Sequence, residues 1–588
     1  MVVTSIAYRG IRVSTAFVPQ QPQHPGGTQD GPPPVPPYAS EASRLLCAGT
    51  YLDPGYRDRV IEQLYLHEQR FVAPSLGFDA ARVLAHALRA RRLEMLWSAA
   101  VVGLWIVGTL ISGNLLLYFV WPSVMLAVAP LLRGRDARPP WYRSLIAFLA
   151  RWGGRVLTVF AFSTLFSVAL GEGGEGSSYS SYSSSSSYGY SGDDDVLGAL
   201  TGDLSGNAEP WQAWFGIGVL VVIGLCVAGR RTQFARVLSA ELSPARFPDA
   251  AGDPAERHDG TRLRRLSQRI RLEQHTPLVM YHEARPFCGA GSAHDTWVLA
   301  VELRPDEDAD QQPLSNRAIL DRVRPLIEQL RVPAEHAGPG VRDRLRRLEV
   351  DECVFLPVEG LLRRDQAPYG PADFEQHRAR AVEEGGEKRR HFLRVRVAGW
   401  EEELVVTVFV RVHTQGRMLM LEIAPHVLLP VRADFKDADR TAHQFLHDLK
   451  GRIAGSAVLV PRSAGDSLIT LGRGTAYLWR LLTGGHAHAL PDGPALSVRE
   501  LAAAPAGSTF QDMDVARYLR SVQDRISRGV RLALGEAGYE TGEFVQKIVN
   551  ISSGAVHIGR ADNSSFAFGE HARAETTTGG PGLRKGSD

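Results

Sequence analysis

Two pairs of histidines have a spacing that could bind a metal ion. His443 and His447 are four residues apart in the run HQFLH, which places both imidazoles on one face of a helix. A zinc protease would need a glutamate as general base where Gln444 stands. His486 and His488 lie in the loop-like run TGGHAHALPDG, with no third ligand nearby in the sequence. We therefore assign no metal-binding residue.

A glycine pair, Gly289-Ala-Gly291, lies between two strand-like runs, 278–281 and 297–303. A dinucleotide site would need a third glycine and a helix directly after it, so a tight turn is the better interpretation. The sequence contains no phosphate-binding GxxxxGK[ST] loop, no GxSxG nucleophile motif and no kinase motif set. We assign no catalytic or cofactor-binding residue and no cofactor, and the sequence favours a protein that is not an enzyme. An active site assembled from scattered residues stays open.

The longest apolar run extends from Trp97 to Leu132, 36 residues without a charged side chain. A bilayer crossing takes roughly 20 apolar residues, so this run is long enough for two, with Ser112-Gly113-Asn114 as the turn. A re-entrant hairpin is the alternative. Two further apolar segments, 152–170 and 211–228, bring the predicted number of transmembrane helices to four.

The charges beside these segments predict their orientation. The loop 171–210 contains no Lys or Arg, whereas the other flanking segments are rich in arginine. Basic loops stay in the cytoplasm, so the loop 171–210 is expected outside the cell and both termini inside. The arginines that carry this argument are Arg89, Arg91, Arg92, Arg133, Arg135, Arg138, Arg143, Arg151, Arg230, Arg231 and Arg236.

The remaining chain reads as a cytoplasmic α+β domain. Between 392 and 423, apolar residues alternate with polar ones over three runs separated by short turns. This period of two predicts an antiparallel meander. Helical periodicity is expected over 316–331, 437–453, 466–482 and 511–536.

The sequence thus predicts a membrane α-helical protein, with four transmembrane helices, joined to a cytoplasmic α+β domain. The expected organisation is a disordered Pro/Gln-rich N-terminus at 1–42, a cytoplasmic helical segment at 43–96, a transmembrane region at 97–228 with the disordered external loop 171–210, the α+β domain at 229–545, and a low-complexity, possible β-forming tail at 546–588.

One motif carries a resemblance to a known family. A strand with an aromatic residue, then Pro-Phe, Gly-x-Gly and a strand that begins with tryptophan resembles a family of multi-pass actinobacterial membrane proteins without an established activity. The matching positions in this sequence are Tyr281, Pro286, Phe287, Gly289, Gly291 and Trp297. The resemblance implies membrane topology and nothing about catalysis.

The composition of the chain limits the classes of partner that we expect. The formal net charge is only +2, so no nucleic acid is expected as a partner. The four cysteines form no CxxC pair, which argues against a zinc knuckle. The expected partner is the lipid bilayer of the plasma membrane, with self-association through 511–536 and 550–569 as a further possibility. For 511–536 an ordinary core face explains the apolar stripe equally well, and for 550–569 a disordered tail is the alternative.

We therefore expect a membrane-tethered scaffold, regulator or sensor. A transporter subunit, or a membrane-bound enzyme with an unrecognised site, is the alternative. The predicted segments contain no ionisable residue away from their ends, which favours anchoring over coupled transport.

Overall fold

The computed structural model describes residues 35–74, 77–134, 139–171, 209–257, 260–332, 345, 347–399, 403–483 and 489–552. Much of the N-terminal segment, the loop 172–208, the pair His486 and His488 and the tail from 553 onward lie outside the described residues.

The N-terminal half is helical. Its helices are α1 (Glu41–Leu52), α2 (Pro54–Ile61), α3 (Ala80–Ile111), α4 (Val120–Arg133), α5 (Trp141–Ala169), α6 (Pro210–Arg236) and α7 (Thr261–His275). Asp79 caps α3, because its carboxylate accepts hydrogen bonds from the backbone N–H groups of Ala81 and Arg82.

Among the described residues, four helices in this half are long and apolar enough to cross a membrane by length and composition. They are Ala80–Ile111, Leu115–Arg133, Trp141–Ala169 and Pro210–Glu241. The first two are separated by the predicted turn, where Gly113 and Asn114 adopt φ angles of 60° and 67°. Trp105 and Phe119 then pack with ring centroids 6.3 Å apart, so the two helices form an antiparallel hairpin.

The described part of the C-terminal half contains a seven-stranded sheet. Its strands are β1 (Leu278–Tyr281), β2 (Ser292–Ala293), β3 (Trp297–Glu302), β4 (Leu348–Pro357), β5 (Arg390–Gly399), β6 (Leu404–Gln415) and β7 (Met418–Leu428). The alternation over 392–423 correctly predicts the antiparallel ladder from β5 to β7.

The sheet is nevertheless mixed, which corrects the prediction of a plain antiparallel meander. β1 pairs in parallel with β4, while β2 and β3 both pair with β7. Together the strands form a half-barrel. The sequence could not reveal the parallel pairing, because Leu278 and its partner Val354 are separated by a long stretch of chain.

The remaining helices cover one face of the sheet or return to the apolar helices. They are α8 (Asn316–Glu328), α9 (Pro371–Glu383), α10 (Ala433–Lys436), α11 (Ala438–His447), α12 (Leu449–Ala457), α13 (Val460–Leu482), α14 (Val498–Leu501), α15 (Thr509–Glu536) and α16 (Gly542–Ser552).

The main core of the sheet domain lies between the sheet and the helices α8 and α15. Val395, Val408 and Leu421 point into it from successive strands, as the period of two requires. The apolar stripe of α15 packs into the same core through Val522 and Ile526. The structure therefore supports the core-face interpretation of 511–536, and self-association of that segment stays a prediction.

Candidate functional site

The histidine pair on α11 forms an exposed stack at the end of its helix. The His443 and His447 rings stack with centroids 4.0 Å apart, and Nδ1 of His447 lies 2.9 Å from the backbone oxygen of His443. Among the residues that the structure describes, no group of three His, Cys, Asp or Glu side chains is arranged to bind a metal ion. The pair thus lacks a third ligand from that part of the chain. The other pair, His486 and His488, lies outside the described residues.

The Gly-x-Gly turn is a cradle for a carboxylate, and the chain itself fills it. The backbone N–H groups of Gly289 and Gly291 both donate to Oε1 of Glu500, at 2.7 and 2.9 Å. N–H groups that converge in this way are a common anion-binding arrangement. In this turn they fix α14 against the sheet, so the turn acts as an internal clasp.

At both glycines of this clasp, any other residue would strain the backbone and clash with neighbouring atoms. Their φ angles are 102° and 98°, in the left-handed region that other residues rarely adopt. A Cβ atom on Gly289 would lie 2.8 Å from the carbonyl oxygen of Pro74, and one on Gly291 would clash with the carbonyl group of Val427. The glycine spacing of the motif therefore has a structural cause.

The Pro-Phe part of the motif builds an aromatic cluster on the second face of the sheet. The ring of Phe287 lies 4.7 Å from that of Phe409 and 4.6 Å from that of His426, and it also contacts Phe355 and Phe392. Burial lowers the pKa of His426. The imidazole is therefore neutral near pH 7 and serves as a packing group.

The cavity beside this cluster is too small for an organic ligand. Its volume is about 20 Å³, enough for a single water molecule, and its lining includes Val279, Phe287 and Thr407. The aromatic motif is consequently a packed core.

Charged side chains gather around Glu352 on β4. Its carboxylate accepts hydrogen bonds from Arg317 at 2.9 Å and from Arg378 at 3.0 Å, and it lies 3.1 Å from Nε2 of His391. Burial opposes its ionisation, but the bonds from His391 and Arg378 prevail and lower the pKa of Glu352 far below its ordinary value. A carboxylate held ionised by several donors is a poor proton shuttle, so the cluster joins β4 to α8 and α9.

A buried chain of polar groups ties the segment after α6 to helix α3. Tyr51 Oη lies 3.2 Å from Nδ1 of His86, whose Nε2 lies 3.0 Å from Oδ2 of Asp253. Arg82 donates to the same oxygen at 2.8 Å. The order hydroxyl, imidazole and carboxylate resembles a catalytic triad.

Burial closes this chain of groups to substrates. His86 is fully buried, and Asp253 exposes only 8% of its surface. Burial also raises the pKa of Tyr51, which keeps its hydroxyl protonated. No sequence motif signals the arrangement, because Tyr51, His86 and Asp253 come from three separate segments.

A polar cavity lies beside the apolar helices. Its volume is about 40 Å³, and Trp97, Arg230 and Asp466 contribute to its lining. Arg462 Nε donates to the Asp466 carboxylate at 2.9 Å, and both side chains are about one-third exposed. This ion pair comes from α13, a helix that the sequence assigned to the cytoplasmic domain.

The signal that could have located α13 is its composition of small residues. The run Ser463-Ala464-Gly465-Asp466-Ser467 resembles the small-residue interfaces of packed membrane helices. The charged residues of α13, and its separation in sequence from the other apolar segments, concealed this resemblance. The cavity and the ion pair are therefore the candidate site that sequence reasoning missed.

The comparisons with known proteins concern mainly the sheet domain. Residues 296–564 are similar to the AbeC-like domain family. The match begins just before β3 and extends beyond α16. No curated protein and no solved structure matches the chain. The family match implies neither a membrane location nor a source organism.

Proposed function

We propose that this chain is an integral membrane protein that holds its sheet domain at the cytoplasmic face of the plasma membrane, where it acts as a scaffold, regulator or sensor. Helix α3 is the observation that carries the proposal. Its first turns, with Val83 and Leu84, are buried in a core with α1, α2 and α7. Its last turns, with Val101 and Trp105, pack among the apolar helices. One continuous helix thus connects the two regions.

The outer surface of the apolar helices supports the membrane part. Large apolar side chains point away from the protein, among them Leu110, Val159 and Leu225, which are 75%, 69% and 66% exposed. A continuous apolar surface of this kind is unfavourable in water and favourable in hydrocarbon. The bilayer is the partner that fits it.

The orientation follows from charge. The arginines that carry this argument lie in the first half of α3, from the end of α4 to the first half of α5, and in the last turns of α6, whereas 171–210 carries none. The positive-inside rule then places the sheet domain in the cytoplasm and the loop 171–210 outside. The resemblance to multi-pass actinobacterial membrane proteins agrees with this topology.

The candidate sites favour a binding or regulatory role over catalysis. The anion cradle is filled by Glu500, and the polar chain at His86 is closed to substrates. A transporter subunit is the second candidate, because the pair Arg462 and Asp466 lies beside the apolar helices at a polar cavity. Ionisable groups in such a place are a usual mark of a transport pathway.

Site-directed photo-crosslinking in native membranes tests the proposed role. A photoreactive amino acid at Leu362, which is 73% exposed on the sheet domain, should yield a defined protein adduct. The same group at Val159, on the outer surface of α5, should yield lipid adducts and serves as the matched control. Without any protein adduct at Leu362 or at the exposed Val298, the scaffold role would be wrong.

A further inference from the structure

Helices α12 and α13 follow each other directly, and their connection lies against the apolar helices. α12 ends at Ala457 and α13 begins at Val460, so two residues connect them. The backbone N–H groups of Val458 and Leu459 donate to the carbonyl oxygens of Ala454 and Ser456. Both N–H groups of the connection are therefore paired, as backbone inside hydrocarbon requires.

The tip of this pair lies deep among the apolar helices. Val460 and Ala464 belong to the same buried cluster as Trp105, Phe119 and Ile223. Trp105 donates its indole N–H to Oγ of Ser463 at 3.3 Å. The predicted membrane segments therefore pack directly against residues from the C-terminal half of the chain.

The depth of the tip follows from α3. Gly474 of α13 packs on Met95, and Ser463 lies beside Trp105, so the two helices run antiparallel. Ten residues of α3 separate these contacts, which corresponds to about 15 Å at 1.5 Å per residue. With Met95 and Trp97 at the inner interface, this is about half of the roughly 30 Å hydrocarbon thickness.

Close backbone contact makes the fit specific. The N–H group of Gly465 donates to Oγ of Ser123 on α4 at 2.8 Å. A Cβ atom on Gly465 would lie 2.5 Å from the backbone oxygen of Ser123. On the other side of the pair, Val460 packs on Gly224 of α6. Small residues at each crossing are typical of helices packed in membranes.

The outward side of the pair carries several large, exposed apolar side chains. Ile453 and Val458 are 63% and 77% exposed, and Leu468 is also exposed. Toward the far end of α13, Trp479 is 70% exposed, and Tyr477 contacts the guanidinium of Arg91. Aromatic residues and arginines at that level are typical of a membrane interface.

We propose that α12 and α13, residues 449–482, form a re-entrant hairpin that enters the membrane from the cytoplasmic side and contacts lipid acyl chains with Ile453 and Val458. The proposal rests on the proposed membrane location of α3 to α6. The charges of Arg462 and Asp466 are compatible with it, because they pair with each other and Asp466 lines a polar cavity next to Arg230.

A spin-label measurement on the full chain in lipid vesicles tests the hairpin. The background carries Cys226→Ala, and the other cysteines, Cys47, Cys288 and Cys353, are buried. One exposed cysteine at a time is introduced for the spin label: Val458→Cys at the tip, Val159→Cys on α5 or Leu362→Cys on the sheet domain. Each label is then exposed to oxygen, which enters hydrocarbon, and to a polar nickel chelate, which does not.

We expect the spin label at position 458 to have a ratio of oxygen to nickel collisions close to that of the label at position 159. Its ratio of oxygen to nickel collisions should exceed that of position 362 by about tenfold, because the polar chelate is excluded from hydrocarbon. Ile453→Cys provides a second position on the other helix, should Val458→Cys fail to fold.

Two different failures are distinguishable. A label at 458 or 453 that behaves like the one at 362, while the label at 159 stays lipid-like, would overturn the hairpin and leave the four apolar helices in the membrane. A label at 159 that is also water-accessible would overturn the membrane location, and the hairpin with it.

Discussion

At the scale of single residues, the glycine clasp explains why a conspicuous motif carries no chemistry. Gly289 and Gly291 bind a carboxylate, but the carboxylate is that of Glu500. The glycine spacing correctly predicted the turn. It could not predict the occupant, because Glu500 comes from a distant segment and has no distinctive neighbours in the sequence.

Substitution of Gly291 should show how closely the clasp is packed. Gly291→Ala places a Cβ against the Val427 backbone at a left-handed φ angle, and we expect a loss of about 3 kcal/mol in the free energy of unfolding. Gly360→Ala is the matched control, since Gly360 has a φ of 96° and open space around it, and it should cost only about 1 kcal/mol. Equal losses in chemical denaturation would show that packing at Gly291 contributes nothing.

The buried group Asp253 should make stability depend on pH. Burial opposes ionisation of this carboxyl, yet its bonds to His86 and Arg82 prevail, and its pKa in the folded chain lies below the ordinary value of about 3.9. A depressed carboxyl pKa contributes stability above the unfolded-state value, and this stability is lost as the pH falls through the folded-state value.

Asp253→Asn should therefore destabilise the chain by about 3 kcal/mol at pH 7, because it leaves Arg82 buried without its partner charge. The difference from the unmodified chain should stay constant from about pH 7 to about pH 5 and shrink below about pH 4, as the pH falls from the unfolded-state pKa toward the lower folded-state pKa. Denaturation curves across this range measure it. Asp365→Asn, at an exposed pair with Arg363, is the control and should have no measurable effect. A difference that is constant with pH would contradict the assigned role.

At the scale of elements, the periodicity of apolar residues predicted the strands and helices that bury one face in the core. The alternation of Leu393, Val395 and Val397 defines the inward face of β5, and the helical stripe of α15 forms another part of the same core. Pairings between distant segments were not predictable. The parallel contact of β1 with β4, which makes the sheet mixed, depends on a crossover that no local pattern encodes.

Helix α13 is the element for which the sequence was least informative. Its pattern correctly predicts a helix over 466–482, and the structure extends it back to Val460. Arg462 and Asp466 make the helix look soluble by composition, whereas its packing partners are the apolar helices α3 and α4. The contacts of Ser463 and Gly465 reveal this.

Two glycines on α13 allow the packing to be tested within one helix. Gly472→Ala places a methyl group in open space. It should raise the free energy of unfolding in detergent by up to about 1 kcal/mol, because alanine has a higher helix propensity than glycine. Gly465→Ala gains the same propensity but clashes with the Ser123 backbone, so we expect a net loss of about 2 kcal/mol. If both variants were stabilised alike, α13 would not pack on α4 as the structure shows.

At the scale of the whole molecule, the proposed function depends on where the four apolar helices lie. Their existence was predictable, because apolar length is a local property, and the described residues include four helices that meet the criteria of length and composition. Their orientation rests on charge alone. The domain boundaries at 96, 228 and 545 stay predictions, and α3 crosses the first of them without a break.

Residues 296–564, which include most of the sheet domain, are similar to the AbeC-like domain family, and this similarity does not carry the proposed role. The proposed role follows instead from architecture. α3 joins the helical core to the apolar helices, and α13 returns from the C-terminal half to the same bundle. The C-terminal half of the chain is therefore in direct contact with the apolar helices.

The topology of the full chain is the decisive measurement for the proposed membrane location. A reporter active only outside the cytoplasm and one active only inside are each inserted within the loop 171–210 and after Arg231. We expect the loop 171–210 to read as external and the position after Arg231 as cytoplasmic. The same side for both positions would contradict the proposal, and so would the reverse orientation.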